Sequence, residues 1–115
     1  DVPCTSTGTI IKNPDVKIRR KSNDFNYFNK LQLSLLNKAK SLIKKKGSIV
    51  YCTCSISSNE NWFIINSFIK NNSHFKIENA KNFIDNHYTD DDGALNIIPN
   101  KYKLDGMFAV RLQYK

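Results

Sequence analysis

Hydrophobic residues change their spacing several times along this 115-residue chain, and each change predicts an element. From Asn26 to Lys46, apolar residues recur at Phe28, Leu31, Leu35, Leu42 and Ile43, with Leu36 and Ala39 filling the stripe, which predicts an amphipathic helix. Lys44, Lys45 and Lys46 then fall in its last turn, where cations complement the helix dipole, and Gly47 stands where a C-capping glycine belongs. "SIVYCT", residues 48–53, is nearly continuous in hydrophobicity and rich in β-branched and aromatic residues, the pattern of a central strand buried on both faces. Ser57 or Ser58 can cap a second helix running through Trp62, Ile65, Phe68 and Ile69 to Asn71-Asn72, with Glu60 at its positive end. "HFKIENA" predicts a further strand, and residues 81–93 are polar and irregular, with Asp90-Asp91-Asp92-Gly93 as a loop. "ALNIIP" and "MFAVRLQY" predict two short strands able to pair as an antiparallel hairpin. Ahead of the first helix, "PCTSTGTIIKNPDVKIRRKSND" reads as a long loop with a turn at Asn13-Pro14-Asp15, and Asp1-Val2 as the end of a strand whose earlier part is missing.

Strands alternating with helices predict an α/β fold: a parallel sheet with helical crossovers and a terminal antiparallel hairpin. Open sheets of this kind present ligands at the carboxyl ends of their strands. Asp1–Cys4 and Cys52–Cys54 both fall at such ends.

Composition adds a soluble, single-domain class: 40% hydrophobic and 24% charged residues, with no apolar run approaching the ~20 residues needed to span a bilayer. Three cysteines, two of them only one residue apart, fit reduced thiols and hence an intracellular, reducing compartment, nucleus, nucleolus or cytoplasm. The net charge of +8 is unevenly placed, since all of the excess lies within residues 1–46. A basic segment of this kind makes nucleic acid the first partner to consider, against a merely solvated lysine-rich surface.

The three cysteines divide by context. Cys52 alternates with Ile49 and Tyr51 along the strand, and a free cysteine there is usually a small buried hydrophobe, so it is taken as structural. Cys4 and Cys54 each sit between a strand and a loop with small hydroxylated neighbours, where a thiol can serve as a nucleophile if its surroundings favour the thiolate. A metal site using Cys52-x-Cys54 with Cys4, His74 or His87 is a weak alternative, because zinc sites use Cys-x2-4-Cys pairs and no second pair exists. Trp62 and Phe63 could stack a base but have the spacing of core aromatics.

Three stretches also carry a family resemblance. "DVPCTSTGTIIKNPDVKIRR" resembles the Asp-Ala-Pro-Cys-Ser-Gly-Thr-Gly segment of the RNA cytosine-5 methyltransferases of the Fmu/Sun group, "GSIVYCTCSISSNEN" their Thr-Cys-Ser strand followed by Glu-Asn, and "LDGMFAVRL" their closing Asp-Gly-Phe-Phe segment. The stretches appear in the family's order; Val2 replaces an Ala, Thr5-Ser6 a Ser-Gly, and Met107 a Phe. The resemblance implies the later half of a Rossmann-like methyltransferase sheet. Residues 1–115 would be the C-terminal portion of an S-adenosylmethionine-dependent catalytic domain whose main cofactor-binding half lies outside them.

The implied reaction is methyl transfer from S-adenosylmethionine to carbon 5 of cytosine in ribosomal or transfer RNA. A thiolate adds to carbon 6, so that carbon 5 becomes nucleophilic. By the same resemblance Cys54 attacks, Cys4 assists release of the methylated product, and Asp1 contacts both the polar edge of the base and the cofactor. Carrying both cysteines favours RNA over DNA as substrate. Lys12, Lys17, Arg19, Arg20 and Lys21 follow the Pro-Cys loop and are candidates to hold RNA phosphates while the base is turned into the site. Asp105-Gly106 is expected to shape the wall of the site as structural support. The expected protein is monomeric, binds no metal and no membrane, and the isolated 115 residues neither bind S-adenosylmethionine well nor turn over. The alternative is a non-catalytic RNA-binding or ribosome-assembly module that keeps the fold. The geometric expectation is that Cys54 and Asp1 converge on one cavity at the rim of the sheet.

Overall fold

A computed structural model describes residues 1–115. It contains α1 (Val16–Arg19), α2 (Ser22–Leu42), β1 (Ser48–Thr53), α3 (Trp62–Lys70), β2 (Phe75–Glu78), β3 (Leu95–Ile97), α4 (Pro99–Tyr102) and β4 (Met107–Tyr114). Short 3₁₀ turns occupy Thr7–Thr9, Ala80–Asn82 and Asn86–Tyr88. No helix is long and apolar enough to cross a membrane.

The sheet is built around β4, which pairs antiparallel with β1 along one edge and with β3 and then β2 along the other. β1 and β2 therefore run in the same direction, joined by the α3 crossover, but they are not neighbours. The last strand of the chain lies between them, so every ladder is antiparallel. The hairpin of β3 and β4 forms as the alternation of "ALNIIP" and "MFAVRLQY" predicts, with Leu95 opposite Ala109 and Ile97 opposite Met107. Asp1–Cys4 lies along the free edge of β1. The Val2 N–H donates to the Cys52 carbonyl at 3.1 Å, and two residues on in each segment the Cys4 and Cys54 sulfurs meet, so the two segments advance in parallel.

The period-2 pattern of β4 buries Phe108, Val110 and Leu112 on one face, opposite Thr53, Tyr51 and Ile49 of β1. Ile64, Ile65 and Phe68 of α3 cover this face, joined by Phe75 and by Leu36 of α2. These are large side chains, each contributing about 1.5–3 kcal/mol on burial. β1 departs from its expected burial on both faces: Val50 is 55% exposed and Cys52 half-buried, because α2 and α3 contribute their apolar residues to the Tyr51 face. The other face is backed only in part, by Phe83 and Ile84, which border a shallow apolar groove with Val50, Leu95 and Ala109.

Both helix ends differ from the periodic reading. α2 starts earlier, at Ser22, with Asp24 accepting from the Lys21 N–H at 2.9 Å, and it ends at Leu42. Lys44–Lys46 are consequently outside the helix. Ile43 turns to extended backbone and packs on the core, and Lys46 takes the left-handed conformation (φ 63°) before the chain enters β1. The start of α3 is not capped by Ser57 or Ser58 either, since Asn61 holds the N-cap position and its side chain is engaged elsewhere.

Candidate active site

At the end of β1 the backbone leaves the sheet, and Thr5–Gly8 wraps over it. The Gly8 N–H donates to the Cys54 carbonyl at 2.9 Å, and the Gly106 N–H donates to the Gly8 carbonyl at 2.8 Å. Three segments cross here at backbone distance: a Cβ on Gly8 would lie 2.6 Å from the Cys54 oxygen and 2.7 Å from that of Gly106, and one on Gly106 would lie 2.7 Å from the Gly8 Cα. Both glycines are required by this close approach. Gly106 thus packs against the Thr5–Gly8 loop, while Asp105 beside it pairs with Lys12 at the surface.

The crossing brings Cys4 and Cys54, fifty residues apart in sequence, to a sulfur–sulfur distance of 3.1 Å. Cys4 is buried and Cys54 half-buried, and all three cysteines are free. Burial, and then the hydrogen bond with Cys54, push the Cys4 thiol up to about 11. At neutral pH Cys4 keeps its proton and can donate to its neighbour. The Cys54 thiol lies 3.6 Å from the Ser6 Oγ, to which it donates; with that proton gone, the hydroxyl can donate in return. Ser6 itself stands in the left-handed region (φ 61°), at the position where the resembling family has glycine. Cys52 is half-buried within β1, opposite Ala109.

Around the thiols lies a polar network. Glu60 is fully buried; Oε1 accepts from the Thr5 N–H at 2.9 Å and from Gln32 Nε2 at 3.1 Å, and Oε2 accepts from the Thr5 hydroxyl at 2.6 Å. Gln32 Nε2 also donates to the Pro3 carbonyl at 2.9 Å. Asn61 accepts from the Thr53 hydroxyl at 2.6 Å and donates to the Ser55 carbonyl at 2.8 Å. The Tyr51 hydroxyl donates to the Glu60 backbone carbonyl at 2.6 Å, and burial followed by the Glu60 charge raises that phenol far above its ordinary range. Glu60 is therefore not the helix-dipole carboxylate that its place in the sequence suggested, because it precedes the helix and points inward. Gln32 adds a site residue beyond those the motifs point to, and its sequence signal is its place on the apolar stripe between Phe28 and Leu36, where a polar residue needs buried partners.

The other expected site residues are distributed as follows. Asp1 is exposed and lines a groove with Val2, Leu35, Leu36, Ala39, Ile49, Val50 and Tyr51 that neither cysteine of the pair borders, so the expected convergence of Asp1 and Cys54 on one cavity is not what these residues form. Lys12 pairs with Asp105 at 2.9 Å and Arg19 with Asp15 at 2.8 Å, both exposed to solvent. The Arg20 Nε donates to the Thr5 carbonyl at 3.1 Å while its guanidinium stacks over Phe28. Lys17 and Lys21 are exposed. Trp62 belongs to the core side, edge-on to Phe108 and donating to Asp90 at 2.9 Å, whereas Phe63 is 53% exposed.

Comparison with known proteins places this geometry. The chain is 37% identical to the ribosomal RNA small subunit methyltransferase B of Photorhabdus laumondii over 112 residues, 97% of its own length and 24% of that relative's. It thus spans about a quarter of the length of the curated relatives it matches. Among solved structures it resembles that of PH0851 (TM-score 0.87, 35% identity, 97% of this chain and 25% of that one). The fold is also that of NSun6 from Pyrococcus horikoshii, solved with SFG (TM-score 0.81, 23% identity, 99% of this chain and 28% of that one). The family model described as 16S rRNA methyltransferase RsmB/F matches residues 1–113, the span that contains both strand-end cysteines and the glycine crossing that joins them, so the chain belongs to that family.

Proposed function

We propose that this chain carries the catalytic thiols of an enzyme that transfers a methyl group from S-adenosylmethionine to carbon 5 of cytosine in RNA, ribosomal or transfer. The observation that carries the reading is the pair of sulfurs 3.1 Å apart at the strand end, one of them kept protonated by its surroundings. The names of its relatives as ribosomal RNA methyltransferases support the substrate class.

Carbon 5 of cytosine is a poor nucleophile. In this reading Cys54 adds as a thiolate to carbon 6, and the electron pair of the double bond becomes available at carbon 5. S-adenosylmethionine supplies the electrophilic methyl group. Release reverses the addition: the carbon-5 proton passes to solvent, its electron pair re-forms the double bond, and the bond from carbon 6 to sulfur breaks with its electrons returning to Cys54. Cys4 holds its proton at the sulfur that must depart and donates to it as charge develops. Asp1 is assigned to the polar edge of the base, favouring protonation at nitrogen 3, and to the cofactor; its exposed carboxylate is available to a ligand. Lys12, Lys17, Arg19, Arg20 and Lys21 are assigned to RNA phosphates; Arg20 keeps its terminal nitrogens for this while its Nε serves the Thr5 loop. The enzyme acts as a monomer in a reducing intracellular compartment.

The test is covalent trapping. Full-length protein incubated with RNA containing 5-azacytidine should form a stable complex that is lost in Cys54→Ala, whereas Cys4→Ala should accumulate adduct on ordinary RNA. Trapping by Cys54→Ala, or release by Cys4→Ala as fast as by the wild type, contradicts the assigned roles.

A further inference from the structure

Two consecutive residues hold the two sulfurs, one each. Glu60 binds the segment that carries Cys4: its carboxylate takes both the N–H and the hydroxyl of Thr5, the residue after that cysteine, and shares Gln32 with the Pro3 carbonyl before it. Asn61 binds the segment that carries Cys54: it takes the Thr53 hydroxyl on one side of that cysteine and the Ser55 carbonyl on the other. The two residues are 0% and 4% exposed and engage different segments at the entry to α3. The Tyr51 hydroxyl fixes the peptide between them.

We infer that the Glu60-Asn61 dipeptide is a bracket that sets the separation of the two thiols. Glu60 is the positioning residue for Cys4, and Asn61 the positioning residue for Cys54. The inference rests on the proposed division of labour between attack and release. A buried carboxylate with three donors and no cation is a costly arrangement for mere packing, and the Thr5 and Thr53 hydroxyls that it and Asn61 engage flank the reacting sulfurs. Because each arm touches only one cysteine segment, the arms separate kinetically. Loosening the Glu60 arm impairs release, and loosening the Asn61 arm impairs attack.

The experiment compares Glu60→Leu and Thr5→Val with Asn61→Ala and Thr53→Val in the full-length protein, on RNA with cytosine and RNA with 5-azacytidine. The first pair should accumulate adduct on ordinary RNA about tenfold above wild type while trapping on 5-azacytidine RNA stays within about twofold, since a displacement near 1 Å can cost up to ~100-fold in the step it affects. The second pair should form adduct about tenfold more slowly on both RNAs and accumulate none, by the same argument. Glu60→Gln, whose amide can accept from the Thr5 N–H and donate to its hydroxyl, should restore release. If Glu60→Leu does not fold, the near-isosteric Thr5→Val decides that arm. One common phenotype for both pairs, adduct accumulation in neither, or failure of Glu60→Gln to rescue overturns the bracket. In the same experiment, a Cys4→Ala control that accumulates no adduct would overturn the release reading beneath it.

Discussion

At Cys4 two effects act in one direction. Burial disfavours the thiolate, and the neighbouring sulfur supplies a hydrogen-bond partner that favours the thiol, raising it from 9.0 to about 11. A group whose folded-state value is raised stabilises the fold fully below its unfolded value and loses that contribution as the pH climbs through the folded one. The stability of wild type relative to Cys4→Ala should therefore fall as the pH rises from about 9 to about 11, by on the order of 3 kcal/mol, in denaturant titrations at fixed pH. In Cys54→Ala the titration of Cys4 should move only part of the way back, because burial, the larger cause, remains. Ser6 offers a second test at this scale. Its left-handed backbone (φ 61°) is costly for a side chain and free for glycine, so Ser6→Gly should stabilise the fold by up to about 1 kcal/mol, read from the denaturation midpoint. Destabilisation instead would mean that the Ser6 hydroxyl beside Cys54 outweighs the strain.

Among the elements, the crossing of Gly8, Cys54 and Gly106 is where substitution is least tolerated. Gly8→Ala would drive a methyl group against two backbone oxygens at 2.6 and 2.7 Å that no rotamer change can move, and it should cost about 1–3 kcal/mol or more in denaturant unfolding. The strands and the helices α2 and α3 were legible because their apolar periods are local properties: "MFAVRLQY" maps residue for residue onto β4, and "SIVYCT" onto β1. What local pattern could not supply was the insertion of β4 between β1 and β2, since strand order depends on contacts between segments far apart in sequence. The same limit explains Glu60. A carboxylate near a helix start has a sufficient local reading, and only the fold brings Thr5, fifty-five residues away, into its reach. The end of α2 was misplaced for a related reason, because Ile43 continues the apolar stripe yet leaves the helix to pack on the core.

For the molecule as a whole, the charge excess lies within residues 1–46, but Lys44–Lys46 precede β1 while Cys54 follows its far end, which leaves the basic residues after the Pro-Cys loop as the ones near the site in sequence. If Lys17 and Lys21 touch phosphates, the double alanine variant of the full-length protein should bind RNA more weakly irrespective of sequence. Its log-log salt dependence should flatten by about 0.7 for each phosphate of a single strand that is no longer neutralised. The chain spans about a quarter of its relatives' length, and Asp1 is the one residue assigned here to the cofactor. Calorimetry on the 115 residues alone should accordingly find no tight binding of S-adenosylmethionine.

The account depends most on which sulfur attacks, and peptide mapping of the trapped complex reads this directly. After trapping full-length protein on 5-azacytidine RNA and digesting with trypsin and nuclease, mass spectrometry should find the nucleotide on the peptide Gly47–Lys70, with fragment ions assigning it to Cys54. A nucleotide on Cys4 or Cys52 would contradict the account.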